Sequence, residues 1–220
     1  MNILIAIPAY NEEGRISRLL EILTKKYPPK DILVIDDGSL DRTFDEAASF
    51  GVNVIRNQPN LGKGESLKKA FKYALKHGYD AVLTMDADLQ HDPDDIPGFI
   101  KKFQEGCDLV IGSRWRELHK MPFLNYISNR LTTMVLSLLA NKRLPDTQSG
   151  FRLHSRRVAE LDFTFSRYDF ESEVVIKAAI KGFKICSTPI KTIYGTGESS
   201  IDKVRDTLRF IRLTLKFMWR

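Results

Sequence analysis

The sequence predicts an α/β protein with a mostly parallel sheet flanked by helices. Three observations carry this expectation: short β-rich apolar runs alternate with amphipathic stretches, the stretches have the length of crossover helices, and no repeat, low-complexity tract or Gly/Ser/Pro-rich linker breaks the chain. The first strand is read over Ile3 to Ile7 and ends at Pro8, which stops the hydrogen-bond ladder. A helix over Glu13 to Lys26 follows, then a strand over Ile32 to Ile35 and a helix over Arg42 to Phe50. The third strand, Val52 to Ile55, leads to a helix over Gly64 to Lys76, and the fourth, Ala81 to Met85, to a helix over Asp94 to Gln104. A fifth strand covers Leu109 to Ile111.

At 220 residues and 43% hydrophobic, the chain buries a full core as one large domain. Its first strand begins within a residue or two of Met1 with no basic leader or signal-length apolar segment, which reads as cytoplasmic. Cys107 and Cys186 lie far apart without histidine neighbours, so neither a zinc site nor a disulfide is expected and both read as small buried hydrophobes. The net charge of +6 suits nucleic acid, anionic lipid or phosphorylated small molecules equally, so its location matters more than its size.

The unusual residues fall at the carboxyl ends of the predicted strands, where open α/β sheets bind ligands. Asp86-Ala87-Asp88 ends the fourth strand, and two carboxylates one residue apart point the same way off an extended chain. Such a pair suits a hard cation that completes its shell with water and substrate phosphate, with the Gln90 amide two residues further on. Alone, the pair equally fits a strand end followed by an acidic helix cap. After the first strand, Tyr10 offers a flat ring for a base, while Asn11 and Glu12 either cap the next helix or accept from a base or ribose. Asp36-Asp37-Gly38-Ser39 reads as a tight turn or as acceptors for ribose hydroxyls. Lys63, flanked by Gly62 and Gly64 at a helix start, suits a phosphate. This stretch matches neither a P-loop nor a dinucleotide-binding fingerprint, which argues against an ATPase and a dehydrogenase.

Taken in order, Pro8-Ala9-Tyr10-Asn11-Glu12, Asp36-Asp37-Gly38-Ser39, Asn60-Leu61-Gly62-Lys63-Gly64, Asp86-Ala87-Asp88-Leu89-Gln90-His91 and Gly112-Ser113-Arg114 resemble the signature of family-2 glycosyltransferases with the GT-A fold. Asp146-Thr147-Gln148-Ser149-Gly150-Phe151-Arg152 is similar to a segment of the dolichyl- and polyprenyl-phosphate sugar transferases, and the resemblance covers about residues 1 to 195. It implies inverting transfer from a nucleoside-diphosphate sugar, of GDP-mannose or UDP-glucose type, to a polyprenyl or dolichyl phosphate. Mg²⁺ or Mn²⁺ would lie between Asp86, Asp88, Gln90 and the diphosphate. Pro8, Tyr10, Glu12, Ile35 and Asp37 would surround the nucleoside, with Lys63, Asp86 and Ala87 completing the donor pocket. Asp88 would bridge toward the metal, Arg114 would meet phosphate, and Ser149 and Arg152 would contact the acceptor phosphate. The resemblance divides one domain into a nucleotide-sugar half (1–115), an acceptor half (116–200) and a terminal helix (201–220).

A phosphate acceptor is already an anion and needs no general base; a sugar hydroxyl does, and Asp169, Glu171 or Glu173 would then supply it. Transfer to a saccharide hydroxyl, in polysaccharide or glycolipid synthesis, therefore stands as the alternative. The basic residue that mannose-transferring relatives carry before a G-x-S-K segment is absent here or moved to Lys203 or Arg205. No apolar stretch reaches the roughly 20 residues that span a bilayer. Asn125 to Lys142 and Asp202 to Arg220 read instead as surface-lying segments. In the second, Val204, Leu208, Ile211, Leu215 and Met218 form one apolar stripe and Phe210, Leu213 and Phe217 another, divided by Arg205, Arg209, Arg212 and Lys216. Six Lys/Arg against two Asp leave this segment at +4, suited to an anionic membrane or a second subunit of a homo-oligomer. A nucleotidyltransferase would carry a glycine-rich N-terminal loop that is missing. A nucleic-acid module would place basic rather than acidic residues at the strand ends.

Overall fold

The computed structural model describes residues 1–114, 133–134, 137, 147, 149–165 and 169–191. Strands β1 (Ile3–Ala9), β2 (Ile32–Asp36), β3 (Asn53–Arg56), β4 (Ala81–Thr84), β5 (Leu109–Ser113), β6 (Arg152–Ser155) and β7 (Ile185–Pro189) form one seven-stranded sheet in the order β3-β2-β1-β4-β6-β5-β7. All neighbours are parallel except β6, which runs antiparallel between β4 and β5. Helices α1 (Arg15–Thr24), α2 (Thr43–Ser49), α3 (Lys63–Lys76) and α4 (Ile96–Gln104) are the expected crossovers, and α5 (Arg156–Ala159) and α6 (Asp169–Ile180) follow β6.

Helical spacing explains which faces are buried. Ile16, Leu19, Leu20 and Leu23 on α1, and Leu67, Ala70, Phe71 and Ala74 on α3, recur at the three- and four-residue intervals that align one side of a helix. The pleat of β1 sends Ile5 and Ile7 into a core with α1, Phe99 of α4 and Phe151, and Leu4 and Ala6 into a second core with α3, Phe170 and Val174. The sheet is thus covered on both sides, as a mostly parallel sheet requires.

Several features depart from the sequence reading: β1 continues through Pro8 to Ala9, paired with β2; β4 stops at Thr84, so Asp86 and Asp88 lie in the loop beyond it; and β7 was not expected. Cys107 and Cys186 form a disulfide with Cα atoms 6.0 Å apart. Parallel pairing of β5 with β7 sets Val110 opposite Cys186, and the chain entering β5 brings Cys107 alongside, so strand register closes a gap that sequence distance concealed. Strand β6 was not expected, because Arg152 and His154 give it a polar pattern although all four of its residues are buried. The Asn125 to Lys142 segment, apart from isolated positions, and Asp202 to Arg220 with Lys203 lie outside the described residues.

Candidate active site

The chain runs from β1 outward through β2 to β3, then crosses back to place β4 on the other side of β1. The carboxyl ends of β1 and β4 therefore part their following loops, the point at which such sheets open a ligand crevice. Glu12 follows β1, and Asp86 and Asp88 follow β4, so the fold brings the predicted donor-side carboxylates to one place.

The β1–α1 loop is held by side chains of the segment after β2. Asn11 N–H donates to Ser39 Oγ at 2.9 Å, Glu12 N–H to Thr43 Oγ1 at 2.7 Å, Glu13 N–H to an Asp41 carboxylate oxygen at 3.0 Å and Gly14 N–H to Glu46 Oε2 at 2.8 Å. These bonds satisfy the loop amides ahead of α1 and the N-cap amide of Gly14, while the first helical amides, those of Arg15 and Ile16, donate to the Glu12 carbonyl. Residues 39–46 thus brace the loop rather than cap the helix, and the Glu12 carboxylate, which caps nothing among the described residues, pairs with Arg15, 2.6 Å away. Burial pushes the Glu12 carboxyl up to about 7; Arg15 opposes the shift, while the charges of Asp88, Asp86 and Asp41 add to it. Tyr10 stays open to solvent at the crevice edge and Pro8 is half-buried.

Asp37 is buried and organises the next loop. Its carboxylate accepts from Asn57 Nδ2 at 2.6 Å, Leu61 N–H at 3.0 Å and Gly62 N–H at 2.8 Å, setting the approach to Lys63. Gly38 is required at the turn: its φ is +77°, and a Cβ would meet Asn57 O and Asn60 N at 3.1 Å.

At the end of β4, Asp86 Oδ1 lies 2.6 Å from Lys63 Nζ, whose other partner is Glu171 Oε1 at 3.1 Å. Burial disfavours the Lys63 ammonium, but the two carboxylates outweigh it and hold its pKa above the usual lysine range. Burial likewise opposes ionisation of Asp86, and Lys63 with His91 overcomes it, so Asp86 titrates below its ordinary range. His91 Nδ1 accepts from Asp86 N–H at 3.2 Å, and its ring stacks on Phe151 with centroids 4.9 Å apart. Burial lowers the His91 pKa despite the nearby carboxylates of Asp86 and Asp88, and Lys63 and Arg114 deepen the shift, which also places Arg114 in the electrostatic neighbourhood of the site. Asp88 Oδ1 accepts from Gln90 N–H at 3.0 Å across Leu89, whose φ of +63° is unusual for a branched side chain. His91 had no role in the sequence reading, and its offset from Asp86 gives no signal that the chain folds back there.

Several expected contacts are corrected. Ile35 is fully buried among Leu33, Leu67 and Phe71, and Ala87 packs into the opposite core, so neither side chain faces a nucleoside. Ser149 and Arg152 are 1% exposed. The Arg152 guanidinium donates to the carbonyls of Ser149 at 2.7 Å, Glu171 at 2.7 Å and Thr147 at 2.8 Å, so it fixes the backbone around Gly150 rather than meeting an acceptor phosphate. Glu173 is also buried, accepting from the N–H groups of Thr164 and Phe165 and pairing with Lys177 at 2.9 Å, which makes it a loop anchor. Asp169 opens α6, and its Oδ1 is buried without a hydrogen bond among the described residues.

The donor set suits a hard cation: Glu12 after β1 and Asp86 and Asp88 after β4 supply oxygen ligands, and although burial is the main cause of the upward shift of Glu12, the charges of Asp88 and Asp86 add to it. Among the described residues no three His, Cys, Asp or Glu side chains form a ready metal cage. A cation held by Asp88, with Asp86 or Gln90, would complete its shell from diphosphate and water.

A mostly parallel seven-stranded sheet flanked by helices, with carboxylates in the loops after β1 and β4, is an α/β architecture of the GT-A type. The glycosyl transferase family 2 model matches residues 4–162. The UDP-N-acetylglucosamine–dolichyl-phosphate N-acetylglucosaminyltransferase of Methanococcus voltae is 32% identical over 216 residues, spanning 87% of this chain and 86% of its own. The undecaprenyl-phosphate mannosyltransferase of Micrococcus luteus is 30% identical over 208 residues, 86% of this chain and 83% of its own. Glucosyl-3-phosphoglycerate synthase of Mycobacterium tuberculosis, solved with Mn²⁺, UDP-glucose and phosphoglyceric acid, shares the fold at a TM-score of 0.73 and 19% identity, covering 98% of this chain and 79% of that one. The chain belongs to glycosyl transferase family 2 and is a glycosyltransferase.

Proposed function

We propose that this enzyme transfers a sugar from a nucleoside-diphosphate sugar to a polyprenyl or dolichyl phosphate, with inversion and with Mg²⁺ or Mn²⁺. The observation that carries the donor side is the sheet order that sets the loop after β1, with Glu12, beside the loop after β4, with Asp86 and Asp88, where a cation would offset their negative charge. Bound there, the cation would neutralise charge on the departing diphosphate. Asp88 and Gln90 are its proposed holders, with Asp86 set by Lys63 and by His91. Tyr10, open to solvent beside Pro8, is the proposed platform for the base, and Arg114 is the proposed phosphate contact.

The acceptor assignment is supported by two relatives, at 30% and 32% identity, whose names specify lipid phosphates. Engagement of two of the three candidate bases supports it too, while Asp169, whose Oδ1 is buried without a hydrogen bond among the described residues, is the carboxylate left for a hydroxyl acceptor. Glu173 is held by two amides and a lysine, and Glu171 by Lys63. An anionic phosphate needs positioning rather than deprotonation. No helix among the described residues is long and apolar enough to cross a membrane, and the basic 201–220 segment is the proposed contact with an anionic membrane surface. The test supplies labelled UDP- and GDP-sugars with Mn²⁺ or Mg²⁺ to the protein, together with polyprenyl phosphate or a soluble saccharide. Metal-dependent label in the organic extract is expected; label found only on the water-soluble saccharide would replace this reading with hydroxyl transfer.

A further inference from the structure

The Lys63 ammonium stands where three parts of the molecule meet: the start of α3, the end of β4 and the first turn of α6. It contacts Asp86 Oδ1 at 2.6 Å and Glu171 Oε1 at 3.1 Å, drawing together two carboxylates that would otherwise repel. The backbone is shaped to admit this contact. A Cβ on Gly150 would stand 2.7 Å from Asp86 Oδ2 and 2.9 Å from Lys63 Nζ, so a side chain there would wedge the pair apart. Gly150 is itself fixed, because Arg152 donates to the carbonyl of Ser149 beside it and to the carbonyl of Glu171 on α6. The Ser149–Arg152 turn and the first turn of α6 therefore form one block, to which Lys63 fastens Asp86.

We propose that Lys63 is a positioning residue that couples the donor side of the site to the acceptor side through its bridge between Asp86 and Glu171. The inference rests on the reading of Asp86 as a donor-facing carboxylate and goes beyond it. A lysine serving only donor phosphate needs no partner on α6, whereas this one holds Glu171 in the first turn of α6, within the 116–200 half read as the acceptor side, on which reading the coupling also rests. Whatever engages Asp86 alters the pull on Glu171, and by linkage an acceptor that engages α6 alters donor affinity by the same factor.

The experiment reads the bridge and the coupling separately. In the substrate-free protein, hydrogen exchange is followed at the amides of residues 173–176, which close the first turn of α6. Lys63→Met and Gly150→Ala, the second of which keeps every charge, should each speed this exchange by about tenfold, while Lys63→Arg stays near the parent. Glu171→Gln, nearly isosteric, should reproduce the effect if Lys63→Met does not fold, and combining the two should add little to either alone. Exchange within about twofold of the parent in both Lys63→Met and Gly150→Ala would overturn the bridge. For the coupling, Mn²⁺ with UDP or GDP is titrated with and without acceptor phosphate. The parent should show a donor affinity that depends on acceptor, and Glu171→Gln should lose that dependence while still binding nucleotide. A dependence unchanged in Glu171→Gln would overturn the coupling; a parent that binds neither nucleotide, with the exchange result intact, would instead remove the donor reading on which it rests.

Discussion

Arg152 and Asp88 carry similar weight in the motifs yet do different work. Arg152 is 1% exposed and donates to three carbonyls, so Arg152→Met leaves those acceptors unpaired in a dry interior and should lower stability by about 3 kcal/mol, measured by urea unfolding. Asp88 is half-buried in the loop after β4 and, among the described residues, tied by a single bond to Gln90 N–H, so Asp88→Ala should leave the unfolding midpoint almost unchanged. It should instead cut transfer by at least about a hundredfold, since metal-centred charge stabilisation contributes several kcal/mol. An Asp88→Ala enzyme that turns over normally, or an Arg152→Met protein as stable as the parent, reverses the respective assignment. His154 is buried beside Phe71 and its Nδ1 has no hydrogen bond among the described residues; burial, with Arg152 adding to it, holds its pKa well below the ordinary histidine value. The unfolded chain takes up that proton near pH 6.5 and the folded chain does not, so stability is intact above pH 6.5 and declines as pH falls below it. His154→Leu should flatten this decline, which reaches up to about 1.4 kcal/mol per pH unit, while Thr84 Oγ1 keeps its 3.0 Å bond to Gly150 O. Urea midpoints between about pH 5 and 7.5 provide the comparison, and identical slopes in both proteins would count against a neutral buried His154.

Among the elements, β7 depends most on a contact that sequence reading did not anticipate. The Cys107–Cys186 disulfide ties it to the entry of β5 across a separation of 79 residues. Closing a loop of that length restricts the unfolded chain, and the entropic estimate for its removal is up to about 4.5 kcal/mol. Reduction, or Cys186→Ser, should lower the unfolding temperature; a scan unaffected by reductant would show that the bond adds nothing to stability. The β1–α1 loop depends on side chains in a similar way. Asn11, Glu12, Glu13 and Gly14 donate to residues 39 to 46, so the acidic and hydroxyl residues after β2 hold the donor loop of the neighbouring strand.

At the scale of the whole molecule, sheet order makes the site. Because β4 returns to the far side of β1, a ligand in the crevice joins the β3-β2-β1 half to the β4-β6-β5-β7 half. Mn²⁺ with the matching nucleoside diphosphate at about 100 times its Kd should stabilise the fold by about 2.7 kcal/mol, a rise of several degrees in a scan. The metal alone should give a much smaller rise, since the described residues offer it no complete cage. No shift with either UDP or GDP would speak against a donor site at this crevice.

The sequence by itself determined the alternation of strands and helices, the first five strands to within about two residues, and the clustering of acidic residues at strand ends. These are local matters: apolar periodicity reports burial, and turn residues report where a strand stops. Tertiary structure decided what those residues do. Asp37 accepts from the Asn57 side chain and the Leu61 and Gly62 amides while Ile35 faces the core, although they sit two residues apart. Arg152 and Glu173 read as chemistry in the sequence because charged groups are seldom placed in an interior, and only the fold reveals the carbonyls and amides that bring them there. The disulfide, the burial of the polar strand β6 and the bridge from Asp86 through Lys63 to Glu171 arise from strand order and register, which join residues far apart in the chain and leave no local periodicity to read.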